Sequence, residues 1–309
     1  MQPTILFPFI HTYGLMLAIG FYSAWVLALR RARKEGVDGK HISDLLIYTI
    51  ISGVFGARLL YVLTEWNTFE SFWDIFKIWQ GGLVFYGGLA TGTATLIAVI
   101  VRRKLSIAKI ADILGPAIAL GLMFGRIGCF SYGCCWGQVA PPHYRLAVRF
   151  PGKFEPMVHK GTGEVELVPE GSPAFMQHAT DPATKDQIPR KAGPARSLPV
   201  YPAQLFESFD SLLICLITSF YFRFRRRYGE VFMLFGFLYS LQRFILEFYR
   251  ADNPPLPFFA GLTISQAVSL VFGAFCVVMF VRSRLLPGNV VAAAPARLDR
   301  KGKPANARG

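Results

Sequence analysis

The chain has 309 residues, of which 53% are hydrophobic and only 17% are charged, against about 25% charged residues in ordinary soluble domains. This composition excludes an ordinary soluble domain and predicts a protein that crosses a membrane several times. The formal net charge is +14, but the Lys and Arg residues fall mostly in short clusters between apolar runs, so we expect the bilayer as a partner and no nucleic acid.

Seven apolar segments run along the chain, and each has about twenty residues. At a rise of about 1.5 Å per residue, that length is enough to cross the hydrocarbon core as a helix. The predicted spans are 13–29, 44–64, 82–101, 108–126, 203–222, 230–249 and 262–282. The sequence therefore predicts an all-α polytopic membrane domain of seven helices over residues 1–285.

The connections between these segments alternate in charge. The connections at 30–40, 102–109 and 223–227 are strongly basic, and so is the chain from Arg282 onward. Basic connections stay in the cytoplasm, which predicts an external N-terminus and a cytoplasmic C-terminus. The Ala/Pro/Arg-rich residues 286–309 are expected to form a disordered cytoplasmic tail.

The long connection 138–200 is expected to be an external insertion, because long loops are translocated largely regardless of their charge. Alternating apolar and polar residues at 144–150 and 164–168 predict short strands. The Pro/Lys/Ala-rich stretch 179–199 is expected to be poorly structured. We therefore predict a small β-rich region outside the membrane.

Arg126 lies near the end of the fourth apolar segment, followed by a stretch rich in glycine and cysteine. An arginine in hydrocarbon is costly, so it should face protein or bind an anion. A snorkelling arginine followed by a glycine-rich loop is the alternative. We favour an anion site at the boundary between membrane and water.

A second group of polar residues lies on the sixth segment. Tyr239, Arg243, Glu247 and Arg250 fall on one narrow stripe of a helix. Arg243 and Glu247 are four residues apart and can form an ion pair that locks two helices. Three ionisable residues exceed what such a lock needs, which favours a polar cavity.

The other segments supply further candidate binding residues. Glycines flank the start of the third segment, where backbone N–H groups can bind an anion, although close helix packing is an equal alternative. With Arg126 and Arg243, Arg58 would complete a cationic site for a phosphate headgroup, because arginine binds phosphate through two parallel hydrogen bonds. The additional candidates are Arg58, Gly87, Gly88, Gln204 and Glu207.

At these positions the chain resembles the prolipoprotein diacylglyceryl transferase family. The similar pieces follow the family's order over about 1–137 and 198–285. They are HTYGLM at 11–16, GVFGARLLYV at 53–62, GGLVFYGG at 81–88, GRIG at 125–128, PAQLFE at 202–207 and the helix with Tyr239, Arg243, Glu247 and Arg250.

The resemblance implies a multi-pass enzyme of the bacterial cytoplasmic (inner) membrane. Such an enzyme transfers the diacylglyceryl group of phosphatidylglycerol to the lipobox cysteine of a lipoprotein precursor, releasing glycerol phosphate. Arg126 and Arg243 would hold the donor phosphate, and Tyr13 and Tyr239 would line the cavity. No cofactor is expected.

The chain departs from the family where the family usually carries histidine, because Tyr86 occupies that position. Tyr86 is then a candidate general base, and it is equally a candidate aromatic wall of the lipid cavity. The thiolate could form in two other ways. Glu247 could accept the proton, or the arginines alone could lower the pKa of the substrate thiol. A second possible function is therefore a non-catalytic or acceptor-switched paralogue that binds or translocates anionic phospholipid.

Three further departures place cysteine or tyrosine where the family has amides and an acid, at Cys129, Tyr132 and Cys134. No pair of cysteines has CxxC spacing, so the sequence predicts no metal site. Cys129 and Cys134 lie near the external face, where disulfides persist. Small packing residues in place of the amides are the alternative that we favour.

Overall fold

A computed structural model describes residues 12–69, 71–77, 81–158, 165–251 and 261–285. Within these ranges, seven helices are long and apolar enough to cross a membrane, which confirms the seven predicted spans. The α-helices are α1 Thr12–Lys34, α2 Gly39–Thr64, α3 Phe85–Arg102, α4 Ile107–Tyr132, the short α5 Pro173–Thr180, α6 Ala203–Tyr221, α7 Glu230–Leu246 and α8 Ile264–Leu285. The expected tail at 286–309 lies outside the described residues.

Large apolar side chains on these helices point away from the protein. Phe55 is 67% exposed, Phe220 is 64% exposed and Val271 is 73% exposed. Contiguous apolar surface of this kind is unfavourable in water and is what hydrocarbon requires. The chain is therefore a multi-pass membrane protein.

Glycines allow neighbouring spans to approach closely. A Cβ on Gly20 of α1 would lie 3.2 Å from the backbone oxygen of Gly121 on α4. Between α2 and α3, Thr91 donates its hydroxyl to the carbonyl of Ser52 at 2.8 Å. Small residues and interhelical hydrogen bonds hold helices together where lipid supplies no hydrophobic driving force between them.

The basic connections meet at one end of the bundle. Arg225 pairs with Glu35 at 2.6 Å and with Asp112 at 3.3 Å. Asp112 is fully buried and also accepts the backbone N–H of Gly229 at 2.9 Å. Lys109 donates to the carbonyl of Glu35 at 2.9 Å. The ends of α1 and α6 and the starts of α4 and α7 are thus joined by an ionic network.

The insertion between α4 and α6 folds into a three-stranded antiparallel sheet, in the order β2-β1-β3. The strands are β1 Pro151–Val158, β2 Val165–Gly171 and β3 Gly193–Arg196. Phe154 on β1 packs against Phe175 on α5, with ring centroids 5.4 Å apart, and both side chains are buried. The small β-rich region predicted from sequence is therefore confirmed.

Two details of that region differ from the sequence prediction. In the run 144–150, only an isolated bridge joins Val148 to Val200, and β1 begins at Pro151. The stretch 179–199 was expected to be poorly structured, which is wrong. It contributes β3, and Ile188 and Leu198 are 4% and 8% exposed in the core of the region.

Candidate active site

A single buried carboxylate contacts three arginines, one from α4 and two from the region of α7. Glu207 on α6 is 3% exposed. It forms an ion pair with Nε of Arg126 on α4 at 2.7 Å, and it accepts hydrogen bonds from Nη1 of Arg243 on α7 at 3.2 Å and from Nη1 of Arg250 at 3.1 Å. Four of the residues singled out in the sequence thus form one ionic cluster.

A second carboxylate extends this cluster towards α8. Glu247 pairs with Nη2 of Arg243 at 2.9 Å, as the spacing of four residues predicted. It also accepts the hydroxyl of Thr263 at 2.7 Å. Ser265 accepts a hydrogen bond from Nη2 of Arg243 at 3.0 Å. The Arg243 guanidinium is thus held between two carboxylates and a hydroxyl.

Three guanidinium groups, those of Arg126, Arg243 and Arg250, share the single carboxylate of Glu207. The cavity beside the cluster is lined by Leu122, Arg126, Glu207, Ser211, Tyr239, Gln242 and Arg243.

Arg126 is the arginine best placed to bind a ligand. Its Nε is used by Glu207, and its side chain is 20% exposed. Within the described part of the chain, neither Nη group of Arg126 has a hydrogen-bond partner. The outer edge of its guanidinium is therefore available to a phosphate, whereas the Nη groups of Arg243 are already engaged.

An apolar cavity of about 480 Å³ lies between α1, α2 and α4. It is lined by aliphatic and aromatic side chains, including Leu17, Phe21, Leu45 and Leu114, and it reaches Gly125, the neighbour of Arg126. A volume of this size suits a lipid chain or another apolar ligand. The arrangement can hold a molecule with an anionic head and an apolar body.

Arg58 has a different role in the structure. Its guanidinium donates to the backbone carbonyls of Asp74 at 2.6 Å, Ile75 at 2.8 Å and Gly81 at 2.8 Å. It also lies 5.3 Å from the ring centroid of Tyr61. These contacts fix the connection between α2 and α3, and they do not bring Arg58 into the Glu207 cluster.

The glycines at the start of α3 pack against α2. A Cβ on Gly88 would lie 2.9 Å from the carbonyl oxygen of Gly53, and one on Gly87 would lie 2.6 Å from Cβ of Leu60. The N–H groups of Gly87 and Gly88 already donate to the carbonyl of Val84. Close helix packing, the alternative left open by the sequence, describes these contacts.

Tyr86, beside these glycines, points outward. Its side chain is 66% exposed, and its ring lies against Phe85 with centroids 5.8 Å apart. Among the described residues, its hydroxyl makes no hydrogen bond to Arg126 or Arg243. A general base would need such a neighbour, so this placement argues against Tyr86 as the base, and Tyr86 is not among the residues that line either cavity.

The remaining candidates, Gln204 and Tyr13, contact residues that follow Arg126 in the chain. Gln204 is completely buried on α6, and its Nε2 donates to the carbonyl of Cys134 at 2.7 Å. Tyr13 on α1 lies against Tyr132, with ring centroids 6.2 Å apart, and contacts the backbone near Gly128. Both contacts are made at the end of α4 or in the loop that follows it.

Sequence reasoning missed the residues that support the cluster from other helices. Thr263 and Ser265 hold Glu247 and Arg243 from the start of α8, and Gln242 donates to the carbonyl of Glu207 at 3.0 Å. A hydroxyl pair beside a glutamine at a helix start is a common cap pattern. Nothing in the sequence alone separates such a cap from a site.

Comparison with known proteins assigns the chain to a family. The family model described as prolipoprotein diacylglyceryl transferase matches residues 4–282. The phosphatidylglycerol–prolipoprotein diacylglyceryl transferase of Xanthomonas axonopodis pv. citri is 32% identical over 298 residues, covering 90% of this chain and 88% of the relative. The protein of that name from Burkholderia multivorans is 32% identical over 269 residues, covering 84% and 85%. A relative from Clostridium perfringens, named as transferase 2, is 28% identical over 262 residues, covering 84% and 86%. The chain therefore belongs to the prolipoprotein diacylglyceryl transferase family.

Proposed function

We propose that this protein is a phosphatidylglycerol–prolipoprotein diacylglyceryl transferase of the bacterial cytoplasmic (inner) membrane. The observation that carries the proposal is the Arg126 guanidinium, which is held at Nε by Glu207 and has its Nη groups available beside an apolar cavity. Phosphatidylglycerol has the matching chemistry, with one phosphodiester charge and two acyl chains.

In the proposed donor complex, Arg126 binds the phosphate and Arg243 contributes charge from behind it. Glu207 orients both guanidinium groups. Tyr13 and Tyr239 form walls of the site. Gln204 holds the backbone carbonyl of Cys134, and Arg250 holds the carboxylate of Glu207. An acyl chain would enter the apolar cavity next to Gly125.

The reaction joins the sulfur of the acceptor cysteine to a glycerol carbon of the diacylglyceryl group. The bond between that carbon and the phosphate oxygen breaks, and glycerol phosphate leaves with the electron pair. Negative charge grows on the leaving phosphate as the bond breaks. A guanidinium in a water-poor site stabilises that charge strongly, which is how Arg126 would accelerate transfer.

The acceptor is proposed to be the lipobox cysteine of a lipoprotein precursor, reached from the external side. The basic connections around Glu35, Lys109 and Arg225 lie at the opposite end of α4 from Arg126. Their charge favours a cytoplasmic position, with 138–200 outside. Labelling of single cysteines introduced at 223–227 and in 138–200 would check this orientation, and external labelling of 223–227 would reverse it.

The transferase activity can be tested on the purified chain in phosphatidylglycerol nanodiscs with a lipobox peptide. Mass spectrometry should show the peptide gain one diacylglyceryl group. A peptide with serine for the cysteine should gain nothing, and phosphatidylethanolamine discs should give much less product. Binding of phosphatidylglycerol without any mass gain would instead support the non-catalytic paralogue.

Two variants of Arg126 distinguish the paired hydrogen bonds of its guanidinium from its positive charge alone. Arg126→Ala should abolish transfer, and Arg126→Lys should lower it by at least about 10²-fold, because lysine keeps the charge and loses the paired donors. Arg223→Gln, which removes an exposed arginine at the basic end, is the matched control and should retain activity. Wild-type activity in Arg126→Lys would reject phosphate binding through the guanidinium.

A further inference from the structure

Three cysteine thiols meet at the end of α4. The Sγ atoms of Cys129, Cys134 and Cys135 all lie within 4.8 Å of one another, and all three side chains are half-buried. All are free thiols. With metal–sulfur bonds of about 2.3 Å, thiolates around one tetrahedral ion lie about 3.8 Å apart, so only small rotations of these side chains separate this arrangement from a metal site.

The backbone is folded in a way that brings the thiols together. Gly133 ends α4 in the left-handed conformation with φ of 78°, and Cys135 is also left-handed with φ of 56°. The N–H of Cys134 donates to the carbonyl of Cys129 at 3.2 Å, which turns the chain back over the helix end. The buried Gln204 amide then holds the carbonyl of Cys134. The loop is therefore organised before any ligand arrives.

The three sulfur ligands determine which kind of metal ion can bind. Thiolates prefer thiophilic cations, whereas Mg²⁺ and Ca²⁺ require oxygen ligands. Zinc sites with three protein ligands keep a fourth position for water or substrate. We propose that Cys129, Cys134 and Cys135 bind one Zn²⁺ ion, and that the fourth position receives the acceptor thiol. The spacing of these cysteines does not match a CxxC motif. The left-handed turn after α4 brings the three thiols together instead.

The site lies next to the arginine cluster. On α4, Cys129 follows Arg126 by three residues, and on α6, Gln204 precedes Glu207 by three residues. Arg126 contacts Glu207 at 2.7 Å, and Gln204 contacts the cysteine loop at 2.7 Å. The two contacts start from positions on α6 that are about one turn, roughly 5 Å, apart, and they reach α4 and the loop that follows it. An acceptor sulfur at the thiols would lie beside a donor phosphate at Arg126.

The arginine cluster leaves open which group removes the proton of the acceptor thiol. Zinc would make this step possible, and this role rests on the proposed transferase function. Glu207 and Glu247 are both engaged by arginines, and Tyr86 points away from them. An acceptor thiol that coordinates Zn²⁺ loses its proton to water and becomes a thiolate near neutral pH. That thiolate attacks the glycerol carbon, the carbon–oxygen bond breaks, and glycerol phosphate leaves with the electron pair. No protein carboxylate has to accept the proton.

The metal site can be tested without any activity measurement. The full chain, purified under reducing conditions and exposed to ZnCl₂, should retain one zinc per chain after desalting. With Co²⁺ in place of zinc, thiolate-to-cobalt charge-transfer absorption should appear. Cys129→Ser and Cys135→Ser should lose stoichiometric zinc and this absorption. Cys215→Ser and Cys276→Ser, which change buried cysteines within α6 and α8, are the matched controls and should keep both.

Several outcomes would overturn the site. These are sub-stoichiometric zinc in the wild-type chain, full zinc retention in Cys129→Ser, or mass-spectrometric detection of a disulfide between two of the three cysteines in the native membrane. The last result would identify the cluster as a redox element instead.

The role of the ion in transfer has its own readouts. A lipobox peptide added to the cobalt-loaded chain should change the absorption, and the serine peptide should not. Chelation should remove transfer, and zinc should restore it. Undiminished transfer by the metal-free chain would reject thiol activation while leaving the proposed function intact. Stoichiometric zinc and a peptide-dependent spectrum without transfer would instead reject the proposed function and support the metal site.

Discussion

Glu207 and Arg126 connect α6 to α4 through a 2.7 Å contact between a carboxylate oxygen and Nε. This contact engages Nε of the guanidinium, and among the described residues neither Nη group of Arg126 forms a hydrogen bond. The same carboxylate also holds Arg243 and Arg250. Glu207 is therefore the carboxylate that holds the three arginine side chains together.

Glu207→Gln tests this positioning role. The amide keeps the shape but leaves three guanidinium groups facing one carboxylate, and breaking a buried ionic contact costs on the order of 3–5 kcal/mol. We expect a lower thermal unfolding temperature and a loss of transfer. Asp210→Asn, on the same helix, is the control and should change neither quantity strongly. An unchanged unfolding temperature in Glu207→Gln would show that the arginines do not depend on this carboxylate.

Tyr86→Phe distinguishes the two interpretations of Tyr86. The change removes the hydroxyl and keeps the ring. Because the side chain is 66% exposed and its ring contacts Phe85, we expect transfer within about twofold of wild type. Loss of a general base would instead lower the rate by about 10²–10⁴. A drop of that size, with an altered pH–rate profile, would establish Tyr86 as the base.

Gly87→Ala tests whether the glycines of α3 serve packing or binding. The added methyl group would collide with the carbonyl of Gly56, and overpacking costs about 1–3 kcal/mol. We expect a lower unfolding temperature and unchanged affinity for phosphatidylglycerol in the folded fraction. Gly14→Ala is the control, because no atom lies within 4 Å of the added group. Weaker lipid binding at an unchanged unfolding temperature would favour an anion site at this helix start.

His178 is expected to make the β-sheet region between α4 and α6 sensitive to acid. The side chain is 5% exposed and lies beside Trp136, and burial lowers the pKa of its imidazole below the ordinary value. The unfolded chain therefore binds the proton more readily, so stability should fall as the pH drops below about 6.5. His178→Gln should flatten this dependence in thermal melts, whereas His143→Gln, at an exposed site, should not. An equally steep dependence in His178→Gln would place the acid sensitivity elsewhere.

The spans were predictable because hydrocarbon imposes a strict length and composition on any helix that crosses it. The pairing of Arg243 with Glu247 was predictable for a similar reason, since four residues bring side chains to one face of a helix. The convergence of Arg126 and Arg250 on Glu207 was not, because it depends on how α4, α6 and α7 pack. Arg58, like Arg126, is an arginine within an apolar segment, so the sequence alone does not separate their roles. In the structure, backbone carbonyls of the connection after α2 surround Arg58.

The apolar cavity beside Gly125 has a consequence for the lipids that the protein would accept. Its walls are almost entirely hydrocarbon, so they offer nothing that distinguishes one acyl chain from another except size, and a hydrophobic pocket separates chains differing by one methylene by only about 1–3 kcal/mol. The protein would then select its lipid substrate by the headgroup alone. Lipoproteins modified by this protein would carry the fatty-acid mixture of the surrounding membrane, and a bacterium that remodels its lipids with temperature would alter its lipoprotein anchors at the same time.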